Sequence, residues 1–334
     1  MKTHKNLFNQ VCEMNNLNKA YLKARRGKNN SDEVLKFTYY LETELLKLQR
    51  ELRTKKYRTG NYRTFIIFEP KERKISALPF RDRVIHHAIC SVIGPIFERK
   101  FIYDSYACRK GKGTHAGVKR IQKFINKAGK DYYVLKCDVS KYFQSVDKET
   151  LKLILRKKIA DEELLYLMDN IIDSSKEGIP IGNLTSQLFA NIYLNNLDEY
   201  IKYELKIKFY VRYMDDFLII KKSKTELNED KEKIRAFLFS MRLTLHPKKA
   251  NVSPISLGID CLGYKIFNNY RLVRKSTVMR FLNNAKRKIK IYEKQEINFE
   301  KLMESFNSWE AYMGHADSFA LKNNIYEGYF KNVL

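Results

Sequence analysis

Residues 211–220, Val-Arg-Tyr-Met-Asp-Asp-Phe-Leu-Ile-Ile, restrict the fold of this 334-residue chain more than any other stretch. Residues 209–213 and 217–220 are rich in β-branched and aromatic side chains, and the break between them is short and acidic. They read as the two arms of a β-hairpin, with Asp215 and Asp216 at its tip. Neighbouring carboxylates repel each other and gain little from a buried sheet, so such a tip calls for positive charge beside it. A pair of divalent cations would supply it. Taken alone, Asp-Asp is more simply ordinary turn chemistry on an exposed hairpin, and the rest of the chain has to decide.

The charge balance is the first help. The chain carries 64 Lys+Arg against 38 Asp+Glu, a net charge of +26, which favours association with a polyanion through counterion release. Solubility alone does not require so lopsided a balance. Hydrophobic content of 44% and aromatic content of 13% are those of a folded protein with a large core. Cysteines 12, 90, 108, 137 and 261 show no metal-ligand spacing, and their odd number argues against a full disulfide framework. With no signal-type run and no uncharged stretch long enough to span a bilayer, the expectation is a reduced, soluble, cytoplasmic protein without a membrane partner.

Taken in order, residues 4–26 read as a basic helix, and Ser31 as the N-cap of a second helix whose apolar face runs from Val34 to Leu52. Residues 63–69 and 74–78 read as strands joined by Pro70-Lys71-Glu72-Arg73, which clusters Lys71, Arg73 and Lys74 at a hairpin tip suited to a triphosphate or, equally, to solvent. Residues 79–100 look helical with a break or kink at Gly94-Pro95; adjacent His86 and His87 point apart and cannot chelate. Residues 99–123 hold eight Lys/Arg against Asp104 alone, around a glycine loop flanked by Arg109, Lys110 and Lys112. These are candidate phosphate contacts, although the loop is not a P-loop. Residues 132–139 form a strand ending at Asp138, which is either a helix cap or a metal ligand. Helices follow at 148–159 and 161–172, and a turn-rich segment, 178–187, leads into a long apolar helix ending near Tyr203. Beyond the acidic hairpin come a helix at 225–242, a loop or strand at 243–249 with two lysines, and short strands at 252–254 and 261–267. One basic helix spans 271–294, carrying Lys286, Arg287 and Lys290, and two more helices close the chain.

Three carboxylates on neighbouring strands suit two-metal phosphoryl transfer, in which two ions about 3.5–4 Å apart activate a 3′-hydroxyl and hold a leaving pyrophosphate. Mg²⁺, with Mn²⁺ as a possible substitute, prefers hard oxygen ligands, so Asp138, Asp215 and Asp216 suffice without histidine or cysteine.

At this point the chain resembles reverse transcriptases, through an ordered series of motifs covering most of its length. Tyr-Met-Asp-Asp at 213–216 looks like the catalytic box, and Lys-Cys-Asp-Val-Ser-Lys-Tyr-Phe at 136–143 like the strand bearing the first metal-binding Asp. The resemblance implies the Val139 carbonyl as a further ligand, Lys249 beside the pyrophosphate, and a triphosphate-contacting segment containing Arg73, Lys74 and Arg81. Leu262-Gly-Tyr264 resembles the primer-grip hairpin, and Phe143 falls at the family's sugar gate, where a bulky ring excludes a ribose 2′-hydroxyl.

One segment departs from the general pattern. Where most of the family has Gln-Gly followed by Ser-Pro, this chain has Ile181-Gly182 and then Ser186-Gln187, a version similar to the enzymes of diversity-generating retroelements. That resemblance implies error-prone copying of a template-repeat RNA into cDNA, with errors opposite adenines, and a small basic accessory protein as partner. Glutamine at position 181 would hydrogen-bond the incoming nucleotide whereas isoleucine only packs, so discrimination should weaken, with Gln187 replacing part of the lost polar contact.

The expected fold is therefore α+β, a right-handed polymerase with fingers at 1–130, a palm with antiparallel sheet at 131–268 (its 148–180 part helical, between fingers and palm) and a short helical thumb at 269–334. Expected ligands are template RNA, a cDNA primer and dNTPs. The rivals are a group II intron-like, retron or phage-defence reverse transcriptase and, from another class, a non-catalytic RNA-binding scaffold.

Overall fold

The protein is described by a computed structural model covering residues 3–68 and 71–329. Four helices open the chain: α1 (Phe8–Cys12), α2 (Met14–Arg25), α3 (Asp32–Tyr39) and α4 (Leu41–Arg53). Then come strands β1 (Arg63–Ile67) and β2 (Arg73–Ala77), and helices α5 (Phe80–Glu98) and α6 (Thr114–Ala128). The central part is β3 (Tyr133–Asp138), α7 (Tyr142–Ser145), α8 (Lys148–Arg156), α9 (Glu162–Asp173), α10 (Leu184–Glu199), β4 (Phe209–Tyr213), β5 (Asp216–Lys221), α11 (Lys224–Ser240) and β6 (Asn251–Pro254). Three short strands, β7 (Ile259–Cys261), β8 (Tyr264–Ile266) and β9 (Arg271–Val273), precede helices α12 (Lys275–Glu293), α13 (Phe299–Met313) and α14 (Phe319–Tyr329).

The four-stranded antiparallel sheet, in the order β4-β5-β3-β6, positions everything that follows. Because side chains alternate along a strand, its two faces are buried separately. Leu135, Cys137, Phe217 and Ile219 face a large cluster with the N-terminal helices and α10, whereas Val134, Val211, Leu218 and Ile220 face a second cluster with α6, the β7-β8-β9 sheet and α12–α14. Burial on both faces explains why these strands read as unbroken apolar runs. The first cluster draws its members from between Leu7 and Ala250, while α6 packs with the C-terminal elements.

Several expected elements are subdivided. The helix expected over 4–26 breaks at Glu13 (φ −57°, ψ 132°), where Asn16 Nδ2 and Gln49 Nε2 donate to the freed carbonyls of Val11 and Cys12. The second breaks at Tyr40, between α3 and α4. Ser31 has the extended backbone of an N-cap but makes no capping bond with its side chain. Helix α5 continues past Gly94-Pro95 to Glu98. Residues 271–273, expected as the start of a helix, instead pair with β8, and the helix begins at Lys275. Glu69 and Pro70, assigned from sequence to a strand and its turn, lie outside the described residues. All five cysteines are free, and no described helix is long and apolar enough to cross a membrane.

Asp161 joins the chain's start to its middle. Its Oδ1 caps α9 by accepting from Leu164 N at 3.1 Å, and its Oδ2 accepts from Leu7 N and Phe8 N at 2.6 and 2.9 Å. Asp161→Ala removes a cap and orphans two amides, so chemical denaturation should show a loss of about 2 kcal/mol, and Asp161→Asn a smaller one. Equal stability of the alanine variant would contradict this account.

Candidate active site

The β4–β5 hairpin closes at the pair Tyr213–Asp216, so its turn is Met214-Asp215 and Asp216 is the first residue of β5. The sequence had placed both acids at the tip; the ladder corrects this. In the β3–β5 register Asp216 stands directly opposite Asp138, the last residue of β3. Like charges in a directly opposed pair destabilise a sheet unless something neutralises them.

The surroundings supply that charge. Lys249 Nζ bonds Asp138 Oδ2, and the His246 amide donates to the Asp138 carbonyl at 2.8 Å. Burial, followed by the charges of Asp138 and Asp216, raises the Asp215 pKa from 3.8 to about 6. Burial also raises that of Asp216, against the pull of Lys136. The neighbouring Lys249 lowers the Lys71 pKa. Carboxylates held above their ordinary pKa are sites short of positive charge, and their oxygens are the donors a hard divalent cation takes. On this donor chemistry Asp138, Asp215 and Asp216 fit such an ion, although among the described residues no three acidic, His or Cys side chains already converge as a closed ligand set.

These groups line a cleft of about 780 Å³. Lys71, Arg73, Lys74, Lys136, Val139, Phe143, Ile181, Lys249 and Arg274 line it with the three aspartates. Two backbone clamps shape its wall. Gly178 (φ +47°) packs so closely that an added Cβ would lie 2.2 Å from the Phe143 carbonyl, which also accepts from Ile179 N at 2.8 Å. Gly182 (φ +124°) would place a Cβ 2.8 Å from the Ser76 carbonyl, while Ser76 N donates to the Ile181 carbonyl at 2.8 Å. These contacts fix the Phe143 backbone and stitch β2, with Arg73 and Lys74, to the Ile181-Gly182 segment.

Other expected contacts lie elsewhere. Arg81 pairs with Glu51 at 2.5 Å, and Gly182 and Gln187 line a separate cavity with Lys28 and Arg83, so none of the three lines the cleft. Arg109, expected on phosphates, has a side chain only 6% exposed, paired with Glu98 at 2.7 Å and bonded to the carbonyls of Ile102 and Ser105. Lys112 lies 3.4 Å over the Tyr103 ring and donates to the Tyr103 carbonyl. Both act in holding the loop at 101–113 rather than as free cations. Lys110 is exposed on that loop, and Lys286, Arg287 and Lys290 are exposed on α12; none of the four lines the cleft.

The sequence reading missed Arg212. It is fully buried, as is Asp198, to which its Nε and Nη2 donate at 2.7 and 2.6 Å. Its Nη1 donates to Asn191 Oδ1 and to the Met214 carbonyl, both at 3.0 Å. Met214 has φ +57°, an uncommon value outside glycine, and the guanidinium holds the turn in that state. An arginine inside an apolar strand was the available signal, since a charge there needs a partner. His246, Lys136 and Arg274 are further cleft residues that spacing did not single out.

Comparisons with known proteins agree with the fold. Residues 61–266 match the family model of the reverse transcriptase (RNA-dependent DNA polymerase), and the chain belongs to that family. Among curated proteins, YkfC of Escherichia coli (strain K12) is 26% identical over 250 residues, spanning 61% of this chain and 64% of its own length. The group II intron-encoded protein LtrA of Lactococcus lactis is 22% identical over 318 residues, spanning 72% of this chain and 52% of its own. The chain thus covers less than two-thirds of either relative. Apo telomerase from Candida tropicalis superposes with a TM-score of 0.50 at 13% identity, over 69% of this chain and 52% of the other, a likeness of fold that fits the right-handed polymerase.

The raised Asp215 pKa has a consequence for the cation-free protein. The native state holds this proton more tightly than the unfolded chain, so stability falls as pH rises from 3.8 through about 6. Asp215→Asn should therefore raise stability at pH 7 by about 2 kcal/mol, a gain that disappears near pH 4. Thermal melts in chelator at both pH values would check it; a gain of equal size at both would contradict the account.

Proposed function

We propose that this chain is an RNA-directed DNA polymerase that extends a primer on template RNA with dNTPs, using divalent cations, Mg²⁺ first among them. The observation that carries this reading is the directly opposed pair Asp138–Asp216, with Asp215 in the adjoining turn, in a lysine- and arginine-lined cleft. When bound, the ions supply activation of the 3′-hydroxyl and charge neutralisation at the leaving pyrophosphate. Lys71, Arg73 and Lys74 bind the triphosphate, Lys249 balances charge at Asp138, and the Phe143 ring excludes a 2′-hydroxyl. Primer extension on a defined RNA should require the cation and be abolished by Asp216→Asn; extension by that variant at the parent rate would overturn the assigned site, and no extension by the parent would leave only an RNA-binding scaffold. Phe143→Ala should admit ribonucleotides at least tenfold more readily.

Within this chemistry we infer the finer role of a diversity-generating retroelement enzyme, copying template-repeat RNA with errors opposite adenines alongside a small basic accessory protein. Ile181 supports it: an apolar side chain lines the cleft where glutamine would offer hydrogen bonds, and Gln187 lies too far round to replace them. The effect on fidelity then rests on Ile181 alone. Likeness to LtrA supports a second reading, an intron-type enzyme. Sequencing the extension products separates the two: frequent misincorporation opposite adenine, reduced several-fold by Ile181→Gln, supports the first, and uniformly faithful copying supports the second.

A further inference from the structure

Helix α6 carries Lys119, Lys123 and Lys127 at four-residue spacing, each exposed and none with an acidic partner within 4.0 Å among the described residues. Four residues of helix rise about 6 Å, so the three ammonium groups form a row along the helix. With Gln122 and Asn126 they line a shallow furrow whose walls contain no acid. A counterion-free row of this kind is a surface for a polyanion.

The furrow leads to something a bare charge row lacks. At the C-terminal end of α6 a pocket of about 410 Å³ opens between Ile125, Ile255 and the turn 267–270, again with a lysine, Lys130, and no acid in its lining. Phe267 and Tyr270 stack in that turn, centroids 4.5 Å apart at 18°, and the turn is closed by Phe267 N donating to the Tyr270 carbonyl at 2.9 Å. Tyr270 is 44% exposed. Asn268 Oδ1 is buried without a hydrogen-bond partner among the described residues, while the Asn268 carbonyl accepts from Gln122 Nε2 at 3.4 Å. Gln122 of the furrow thus bonds the turn that lines the pocket, and the two lie side by side along α6. No residue of either lines the central cleft.

We propose that this surface is a second nucleic-acid site, which holds a single strand by its phosphates on Lys119, Lys123 and Lys127 and receives one unpaired base against Phe267 and Tyr270. Charge complementarity selects the phosphates, and an aromatic wall beside a basic row selects unpaired bases over a duplex, whose bases are already stacked. An acidic peptide would satisfy the lysines and leave the aromatic wall without a reason. The site is separate from the reaction proposed for the cleft and does not depend on it.

The test uses the full chain and a 15-nucleotide single-stranded RNA carrying 4-thiouridine, with the matching DNA strand and an RNA duplex as further arms. Ultraviolet cross-linking should map to residues 267–270 as well as to the cleft. Replacing Lys119, Lys123 and Lys127 together by Gln should weaken single-strand binding at least tenfold and flatten its salt dependence by about two units of slope. Tyr270→Ala should remove the cross-link in the turn and weaken binding roughly tenfold. Primer extension should persist in both variants. Cross-links confined to the cleft, unchanged affinity of the lysine variant, or preference for the duplex or for an acidic aromatic peptide would each overturn the proposal. Loss of extension in either variant would overturn the separation of the two sites, whereas absence of extension by the parent chain with the turn cross-link present would count against the polymerase reading instead.

Discussion

The buried pair Arg212–Asp198 is the interaction on which the rest of the site depends. An ion pair withdrawn from water is costly unless every donor and acceptor is used, and here the guanidinium also bonds Asn191 and the Met214 carbonyl, while Tyr210 OH donates to Asp198 at 2.6 Å. The backbone of Arg212 takes part as well: its amide donates to the Asp104 carbonyl, and its carbonyl accepts from Tyr106 N, each at 2.9 Å. One residue thus ties α10, the loop after α5 and the acidic turn together. Were it loose, Met214 would have no reason to keep a left-handed backbone and Asp215 would lose its place beside Asp138.

That turn fixes the electrostatics. Asp138 and Asp216 are brought face to face by strand register and Asp215 follows from the turn, so the sheet itself concentrates negative charge at the ends of its two central strands. Lysines from distant parts of the chain answer it: Lys71 from the β1–β2 hairpin and Lys249 from the segment before β6. The stitch between Ser76 and Ile181 keeps that hairpin over the cleft. Fold, charge and proposed chemistry are linked through these few contacts.

Much of this was legible in the sequence. Apolar runs gave β3, β4 and β5, because strands buried on both faces leave an uninterrupted pattern, and the order of acidic and basic motifs placed the cleft. What stayed hidden depended on partners distant in sequence. Arg109 and Arg81 read as free cations, yet Glu98 and Glu51 neutralise them. Gln187 belongs to the motif of Ile181, but the start of α10 turns it toward a different cavity. Residues 271–273 continue a basic run and still form a strand, since pairing with β8 outweighs the local pattern.

Single-turnover nucleotide addition by an Arg212→Lys protein tests the central claim most directly. Lysine keeps the charge opposite Asp198 but cannot also reach Asn191 and the Met214 carbonyl with a planar fork. The account predicts a folded protein with parental affinity for primer–template and a rate at least about 100-fold lower. A rate within about twofold of the parent, at unchanged affinity, would contradict it.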